Sequence, residues 1–445
     1  MTSEGAATTA AVPVSPRVFK MAAWAMTLLM VINLFNYIDR YNLAAVESLI
    51  RNDYFAPNDE TAMGKMGHLA FAFMVSYMLF APLFGWLADR YSRWKLMAFG
   101  VAVWSLATWA SGYASGYWAM FVSRCFVGVG EAAYGPAAPA VIADMYPVER
   151  RGRMMSWFYA AIPVGSAIGY SLGGSIAGVF DNWRWAFYLM LPPGLLLATL
   201  CWFMPEPKRG AAEAVPLQRQ PLKWKQYLII LKTKSFVFDT LGMIAMTFAI
   251  GGIAFWMPTY IYEFRLKKAV DLAHITTLFG GITVVAGFLS TLAGGWLSDF
   301  LRLKIRGSYF VVSGVSMIIG LVFFIAVLET PFPYAWVLLF MAVFCLFFNT
   351  GPTNTILANV IHPTMRPTAV AINIFLIHAL GDAFSPGLIG WIAGKDQNLN
   401  RGFYVVSGMI FVSGMFWLYG SRYLEEDTRR APQRLADLEP TTQTT

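Results

Sequence analysis

Asp39 and Arg40 stand side by side in the run Asn36-Tyr37-Ile38-Asp39-Arg40-Tyr41-Asn42-Leu43, inside an otherwise apolar stretch. A second apolar stretch holds Arg124 and Glu131, and a third places His378 and Asp382 four residues apart. Near a bilayer centre each charge costs about 2.5–3.5 kcal/mol on insertion scales, and such residues mark substrate paths or proton relays. A guanidinium binds a phosphate or carboxylate through two parallel hydrogen bonds. A buried carboxyl beside it exchanges a proton when that charge is withdrawn. Anion binding linked to proton movement is therefore the chemistry these residue types offer. A network that merely locks helices together is the plainer alternative. The chain shows no Ser/His/Asp arrangement, phosphate loop or paired metal-ligand spacing, so neither catalysis nor a metal or organic cofactor is expected; a proton gradient would supply the drive. Its three cysteines, Cys125, Cys201 and Cys345, all fall in apolar stretches and form no disulfide framework.

The elements that must position these groups are membrane helices. Of 445 residues, 57% are hydrophobic and 13% charged, against about 25% charged in soluble domains. Runs near 20 apolar residues cross a bilayer core, and twelve occur: 20–48, 66–88, 94–114, 117–145, 154–180, 184–204, 235–263, 273–299, 307–328, 334–361, 367–393 and 400–422. The division this implies is a tail at 1–19, a six-span half at 20–205, a linker at 206–234, a second half at 235–424 and a tail at 425–445. Arg17 and Lys20 precede a stretch too long for a cleaved signal, so the first span is expected to be retained. With both termini in the cytoplasm, cytoplasmic segments hold roughly three times as many Lys and Arg as the other side. The formal charge of +8 is thus a topology signal rather than a nucleic-acid footprint.

The two halves repeat. Gly85-Trp-Leu-Ala-Asp89 returns as Gly295-Trp-Leu-Ser-Asp299, an offset of 210 residues. Gly135-Pro136, Pro147 and Arg150 return as Gly351-Pro352, Pro363 and Arg366, an offset of 216. The plan is all-α: twelve helices in two six-helix halves related as parallel repeats, as in secondary transporters that rock around a midplane site.

At 100° per residue, Asn33, Asn36, Arg40 and Glu47 share an arc of about 60° and should face a central cavity, with Tyr37 beside them. Asp39 turns away toward a neighbouring helix. Arg124, Gly128, Glu131 and Gly135 make a second stripe. The expected geometry sets Asp39 near Arg124 and Glu131 near Arg40. Carried through the repeat, these positions become Ala249, Ile250, Phe340 and Phe347, so the charges belong to one half. The tenth span instead offers Phe340, Phe344, Phe347 and Phe348, an aromatic wall unless those rings face lipid. Asn349 and Asn354 flank the Gly351-Pro352 break, either lining a path or satisfying the kink. His378 and Asp382 form a second titrating site or a structural pair. Gly165, Gly169 and Gly173 on the fifth span invite close packing, expected against Gly280, Gly287 and Gly294 of the eighth. In the linker, 223–232 reads as a basic amphipathic surface stretch.

Gly85-Trp-Leu-Ala-Asp89-Arg90-Tyr-Ser-Arg93-Trp-Lys95 resembles the loop signature of the major facilitator superfamily; the second copy departs from it, with Phe300 in place of the first arginine. The Asn-Tyr-x-Asp-Arg stretch and Gly130-Glu131-Ala132 are similar to both organic anion symporters and Spinster-like lipid transporters. The runs Phe158-Tyr-Ala-Ala-Ile-Pro-Val-Gly-Ser-Ala-Ile-Gly-Tyr170 and His378-Ala-Leu-Gly-Asp-Ala-Phe-Ser-Pro386, with Arg366-Pro-Thr-Ala369, resemble the Spinster pattern. That resemblance implies a bacterial, monomeric, cell-membrane carrier of lysophospholipids or sphingoid phosphates, proton-linked. Proton coupling would fall to Asp39, Glu131, His378 and Asp382. Substrate contacts would come from Asn36, Tyr37, Arg40, Arg124, Phe347, Phe348, Asn349 and Asn354. Gly85, Asp89, Arg90, Arg93, Asp144, Arg150 and Asp299 would form a gating network with Glu149, unless they signal topology alone. The rival is a proton symporter of small organic anions such as sugar acids, whose polar ligand would want hydrogen-bonding residues on both walls. A membrane enzyme or receptor fits the twin halves poorly.

Overall fold

The computed structural model describes residues 16–146, 148–207, 224–362, 365–394 and 398–433. Most of both tails, the linker centre, Pro147 and Pro363 lie outside the described residues, as does the side chain of Glu149. Twelve helices are long and apolar enough to cross a membrane: Ala22–Ala45, Ala62–Ala88, Arg93–Tyr113, Tyr117–Met145, Arg153–Phe180, Trp185–Trp202, Lys234–Arg265, Leu272–Leu301, Ser308–Glu329, Ala335–Val360, Thr368–Gly394 and Leu399–Gly420. Among the described residues there is no strand. Helices satisfy their own backbone where no water can, and the apolar side chains have nothing to gain by leaving.

The fourth and tenth spans are broken at corresponding places. The fourth divides into Tyr117–Tyr134 and Ala137–Met145, the tenth into Ala335–Phe347 and Thr350–Val360. A proline follows closely in each case, Pro136 and Pro352, and lacks the N–H that would continue the ladder. Helix pairing repeats as well. The first span packs on the fifth as the seventh packs on the eleventh; the third packs on the fourth and sixth as the ninth packs on the tenth and twelfth. The fifth–eighth and second–eleventh contacts cross from one half to the other.

Those crossings concentrate at the end of the molecule opposite the termini. Gly67 and Gly390 leave no room for a side chain where the second and eleventh spans meet, at the Pro386 carbonyl and the Met63 carbonyl. Gly174 and Gly280 do the same for the fifth and eighth spans, against Thr276 and Ala167. Gly165, Gly169 and Gly173 do not serve this seam. Their faces meet Leu34 and Tyr37, Ile38 and Tyr41, and Asn42 and Ala45 of the first span. The glycine spacing promised a close partner; the neighbour within the half took it. Gly287 and Gly294 instead approach Phe347 and Phe348 of the tenth span.

Polar bonds reinforce the far seam. The first span ends at Ala45 and a short helix, Glu47–Tyr54, follows a break at Val46. From it, Arg51 pairs with Glu263, Asn52 donates to Glu263 at 3.2 Å, and Glu47 accepts from Thr259 at 2.7 Å. Glu47 therefore leaves the expected cavity stripe, because the helix that would have carried it there breaks one residue before it. At the terminus-bearing end the ion pairs are of another kind. Arg93 holds Asp144 at 2.6 Å and Glu206 at 2.8 Å. Arg306 lies 3.8 Å from Glu425.

Candidate functional site

The first, second and fourth spans bring the charged groups to one cavity wall. Arg40 donates through Nη2 to Glu131 Oε2 at 2.7 Å, as the two helical stripes require. Glu131 is 1% exposed and Arg40 21% exposed on its side chain, so this is a buried acid held by a base that faces the cavity. Asp39 does turn away from Arg40 and has Arg124 as its strongest charged neighbour, though the two make no direct ion-pair contact. It is fully buried and accepts from the Thr108 hydroxyl of the third span, while its Oδ1 has no partner. The Thr108 hydroxyl takes one carboxylate oxygen and leaves the other facing no donor.

Arg124 is left unusual by that arrangement. It is 1% exposed, and neither its Nε nor its Nη1 meets an acceptor. Buried guanidinium donors in that state are costly unless something occupies them. What lies beside Arg124 is the ring of Phe73, with the guanidinium carbon 5.5 Å from its centre. The Arg40 guanidinium carbon lies 4.8 Å from the same ring and 4.9 Å from that of Tyr37.

The cavity they face is lined by Arg40, Tyr41, Phe73 and Arg124 from one half and by Gly251, Phe255, Asp382 and Pro386 from the other. Asp382 is thus the second-half acid that reaches it. His378 Nδ1 lies 3.0 Å from both oxygens of Asp382, and the two share a π-helical turn, His378–Asp382. The wider turn sets Asp382 against Gly251 of the seventh span, where only glycine fits. An apolar pocket adjoins, sharing Tyr41 and Ala254 and walled by Tyr170, Ile250, Phe279, Leu346 and Phe347.

Other expected contacts fall elsewhere. Asn33 donates to the Phe158 carbonyl at 2.8 Å and joins the first span to the fifth. Asn36 is buried, and Tyr37 serves Arg40 through its ring rather than lining the cavity. Phe340, Phe344 and Phe348 stack along the tenth span, with centroids 6.4 and 5.6 Å apart; Phe340 borders a separate groove beside the eighth span. Asn349 is fully buried and donates to the Leu346 carbonyl at 2.7 Å and to Met317 sulfur of the ninth span. Asn354 donates to the Thr350 carbonyl at 2.7 Å. Both satisfy the broken helix, because the chain there has carbonyls in need of donors.

In the loop after the second span, Arg93 carries the ion pairs, while Arg90 folds back over Trp86 and its carbonyl. Asp89 caps its own helix, Gly85 faces Pro136, and Arg150 is exposed. Asp299 accepts from Tyr309 at 2.7 Å.

Tyr41, Phe73 and Thr108 went unmarked by sequence reasoning. Thr108 had a signal: Ser105, Thr108 and Ser111 recur every three residues on the third span, and all are fully buried. Tyr41 lay inside the charged run itself. Phe73 had none, being one apolar ring among many.

The family model of the Major Facilitator Superfamily matches residues 29–386. A zebrafish (Danio rerio) spinster homolog 3 is 34% identical over 436 residues, covering 92% of this chain and 86% of that protein. The chain is a Spinster-type member of the major facilitator superfamily. A sphingosine-1-phosphate transporter of Xenopus tropicalis is 33% identical over 91% of the chain and 82% of its own length. Human spinster homolog 1 is 34% identical over 84% of the chain. Among solved structures, a bacterial homologue of the human lysosomal transporter Spinster superposes with a TM-score of 0.81, 18% identity and coverage of 93% and 99%. A D-xylose–proton symporter follows at a TM-score of 0.73 and 16% identity, which is a likeness of fold alone. The Spinster protein described here is accordingly a multi-pass membrane transporter.

Proposed function

We propose that this Spinster-type transporter moves single-chain amphipathic lipids with an anionic headgroup, of the lysophospholipid or sphingoid-phosphate class, by proton-linked alternating access. The observation that carries the reading is a pair of adjoining pockets: Arg40, Arg124 and Asp382 border one, Phe279, Ile250 and Phe347 the other, with Tyr41 and Ala254 lining both. A charged head and an apolar tail are the two parts such a site needs. A sugar acid would find hydrogen-bonding groups at one end only.

Coupling follows from competition for Arg40. An anionic headgroup that takes Arg40 releases Glu131, and a buried carboxyl without its counter-charge neutralises by accepting a proton. Asp382 with His378, across the cavity, offers a second exchange point in the other half. Alternating access uses the two ends: the far seam closes one mouth, and the other mouth lies on the terminus-bearing side. By the distribution of Lys and Arg, that side is cytoplasmic and the membrane is that of the cell. The carrier works as a monomer, since the repeat supplies both walls of the cavity from one chain.

Purified protein in proteoliposomes tests the reading. Uptake of a lysophospholipid and a sphingoid phosphate is compared with uptake of a sugar acid, with and without an imposed pH gradient. Lipid movement that responds to the gradient is expected. Sugar-acid movement without lipid movement would overturn it.

A further inference from the structure

Arg124 poses a problem that transport of an anion does not by itself solve. It is a cation in the membrane interior, 1% exposed, with unpartnered Nε and Nη1, and Asp39 gives one oxygen to Thr108 while the other makes no hydrogen bond. Arg40 holds Glu131 through Nη2, with its own Nε unpartnered; Arg124 has Asp39 and Glu131 as charged neighbours but makes no direct ion pair with either. Something must offset the cost of burying that charge while the carrier is empty.

Phe73 is placed to do so. Its ring centre lies 5.5 Å from the Arg124 guanidinium carbon and 4.8 Å from that of Arg40, so no more than about 10 Å separates the two cations. Phe73 is itself 3% exposed and lines the same cavity. Its position is built in: Gly128, one helical turn after Arg124, leaves no room for a side chain against the Phe73 carbonyl and the Ser76 hydroxyl. That contact draws the second span against the fourth at this level. Ser76 donates to the Ala72 carbonyl at 2.6 Å and to the Phe73 carbonyl at 3.0 Å, so its hydroxyl is spent within the second span.

We infer that Phe73 is a positioning residue that holds Arg124 by its π face in the empty carrier and leaves the guanidinium N–H groups free for the substrate's anion. The physics turns on what each partner consumes. A carboxylate neutralises a guanidinium by occupying its donors, and a substrate must then displace it. An aromatic face attracts the cation through the ring quadrupole, most strongly where water is absent, and occupies no donor. Arg40 and Arg124 then have different duties beside one ring. Arg40 exchanges Glu131 for the headgroup and reports binding to the proton. Arg124 waits uncompeted and supplies affinity. The inference deepens the proposed lipid-anion site and rests on that reading for its substrate.

The experiment replaces Phe73 with mono-, di- and trifluorinated phenylalanine, which drain the ring face of negative charge with little change of shape. In the ligand-free protein the unfolding midpoint should fall stepwise along the series, by on the order of 2 °C in all, and by clearly less in an Arg124→Gln background. Binding of a single-chain phosphate monoester lipid should weaken in the same order, about tenfold by the trifluoro ring, while Phe73→Tyr retains most of it. A flat midpoint series in the ligand-free protein overturns the role of Phe73 whatever the substrate proves to be. Stepwise midpoints without phosphate-lipid binding would uphold the aromatic hold on Arg124 and overturn the substrate reading instead.

Discussion

Positions related by the internal repeat sit in the two adjoining pockets and carry opposite chemistry. Arg40 borders the charged cavity, and its counterpart Ile250, an offset of 210 later, borders the apolar one. Glu131 holds Arg40, and its counterpart Phe347, at the offset of 216, walls the apolar pocket. The broken fourth and tenth spans show that the scaffold was kept. At these positions the first half carries charge and the second carries apolar side chains, while Asp382 adds a second-half acid to the charged cavity. A repeat supplies equivalent places on two sides of a cavity, and an amphipathic ligand needs those places to differ.

The largest expected effect comes from removing a cation from the charged half. Arg40→Ala leaves Glu131 buried without its partner, and Arg124→Gln removes the guanidinium whose donors stand free. Losing a buried charged partner costs about 3–5 kcal/mol, which corresponds to about two to nearly four orders of magnitude in binding. Lipid uptake into proteoliposomes, at matched protein incorporation, should fall below detection in both. Near-normal uptake by either variant removes that residue from headgroup binding.

Glu131→Gln and Asp39→Asn come next, because they separate transport from its driving force. With glutamine at 131, Arg40 no longer has to exchange partners, so downhill lipid movement should persist. The acceleration by a pH gradient should shrink by about an order of magnitude, matching a coupling of roughly 1.4 kcal/mol. If both variants keep a full gradient response, the proton travels by His378 and Asp382, and the charged half is not the coupling half.

Phe347→Ala probes the apolar side. Trimming a ring from a tail pocket removes apolar contact worth about 25 cal/mol per Å², so a long-chain lipid should lose roughly tenfold in apparent affinity. A short-chain analogue with the same headgroup should lose little. Equal losses for both chain lengths would mean that Phe347 shapes the cavity without touching the tail.

What could be read from the sequence follows from which physics is local. Span lengths, the repeat and the Arg40–Glu131 pair depend on hydropathy, identity and helical angle, and all three are properties of a chain read alone. The partner of Gly165, Gly169 and Gly173 is not: three glycines announce a close neighbour, and the first and eighth spans both qualified. Asn349 and Asn354 misled for a related reason. Amides at a helix break suit a substrate path or the orphaned carbonyls of the break, and only rotation about the helix decides between them. Glu47 was lost to a single break at Val46, a position with no proline or glycine to advertise it. Phe73 was invisible because a ring acquires its meaning from the two cations that other helices bring to it.

The smallest effect concerns the place where the halves meet rather than differ. At the far seam, Glu47 is fully buried between Arg51 of its own helix at 3.2 Å and Thr259 of the other half, while Arg51 also serves Glu263. Lys268, 3.7 Å from Glu263, is the remaining charge nearby. Burial pushes the Glu47 carboxyl above its usual range, and Arg51 offsets only part of that rise. Opening this mouth admits water and returns the group toward its ordinary value of 4.5. The closed seam therefore binds the proton more tightly than the open one, and acid favours closure. That advantage is complete below the open-state value, fades as pH rises through the closed-state value, and is gone above it. Cysteine labelling across the seam, measured relative to an exposed reference cysteine at each pH because the thiolate fraction itself rises with pH, should speed up a few-fold from acid toward neutral pH, and Glu47→Gln should flatten the curve while keeping the Thr259 contact. A pH response that survives Glu47→Gln belongs to the cavity acids, and the seam is then a passive hinge between two unlike halves.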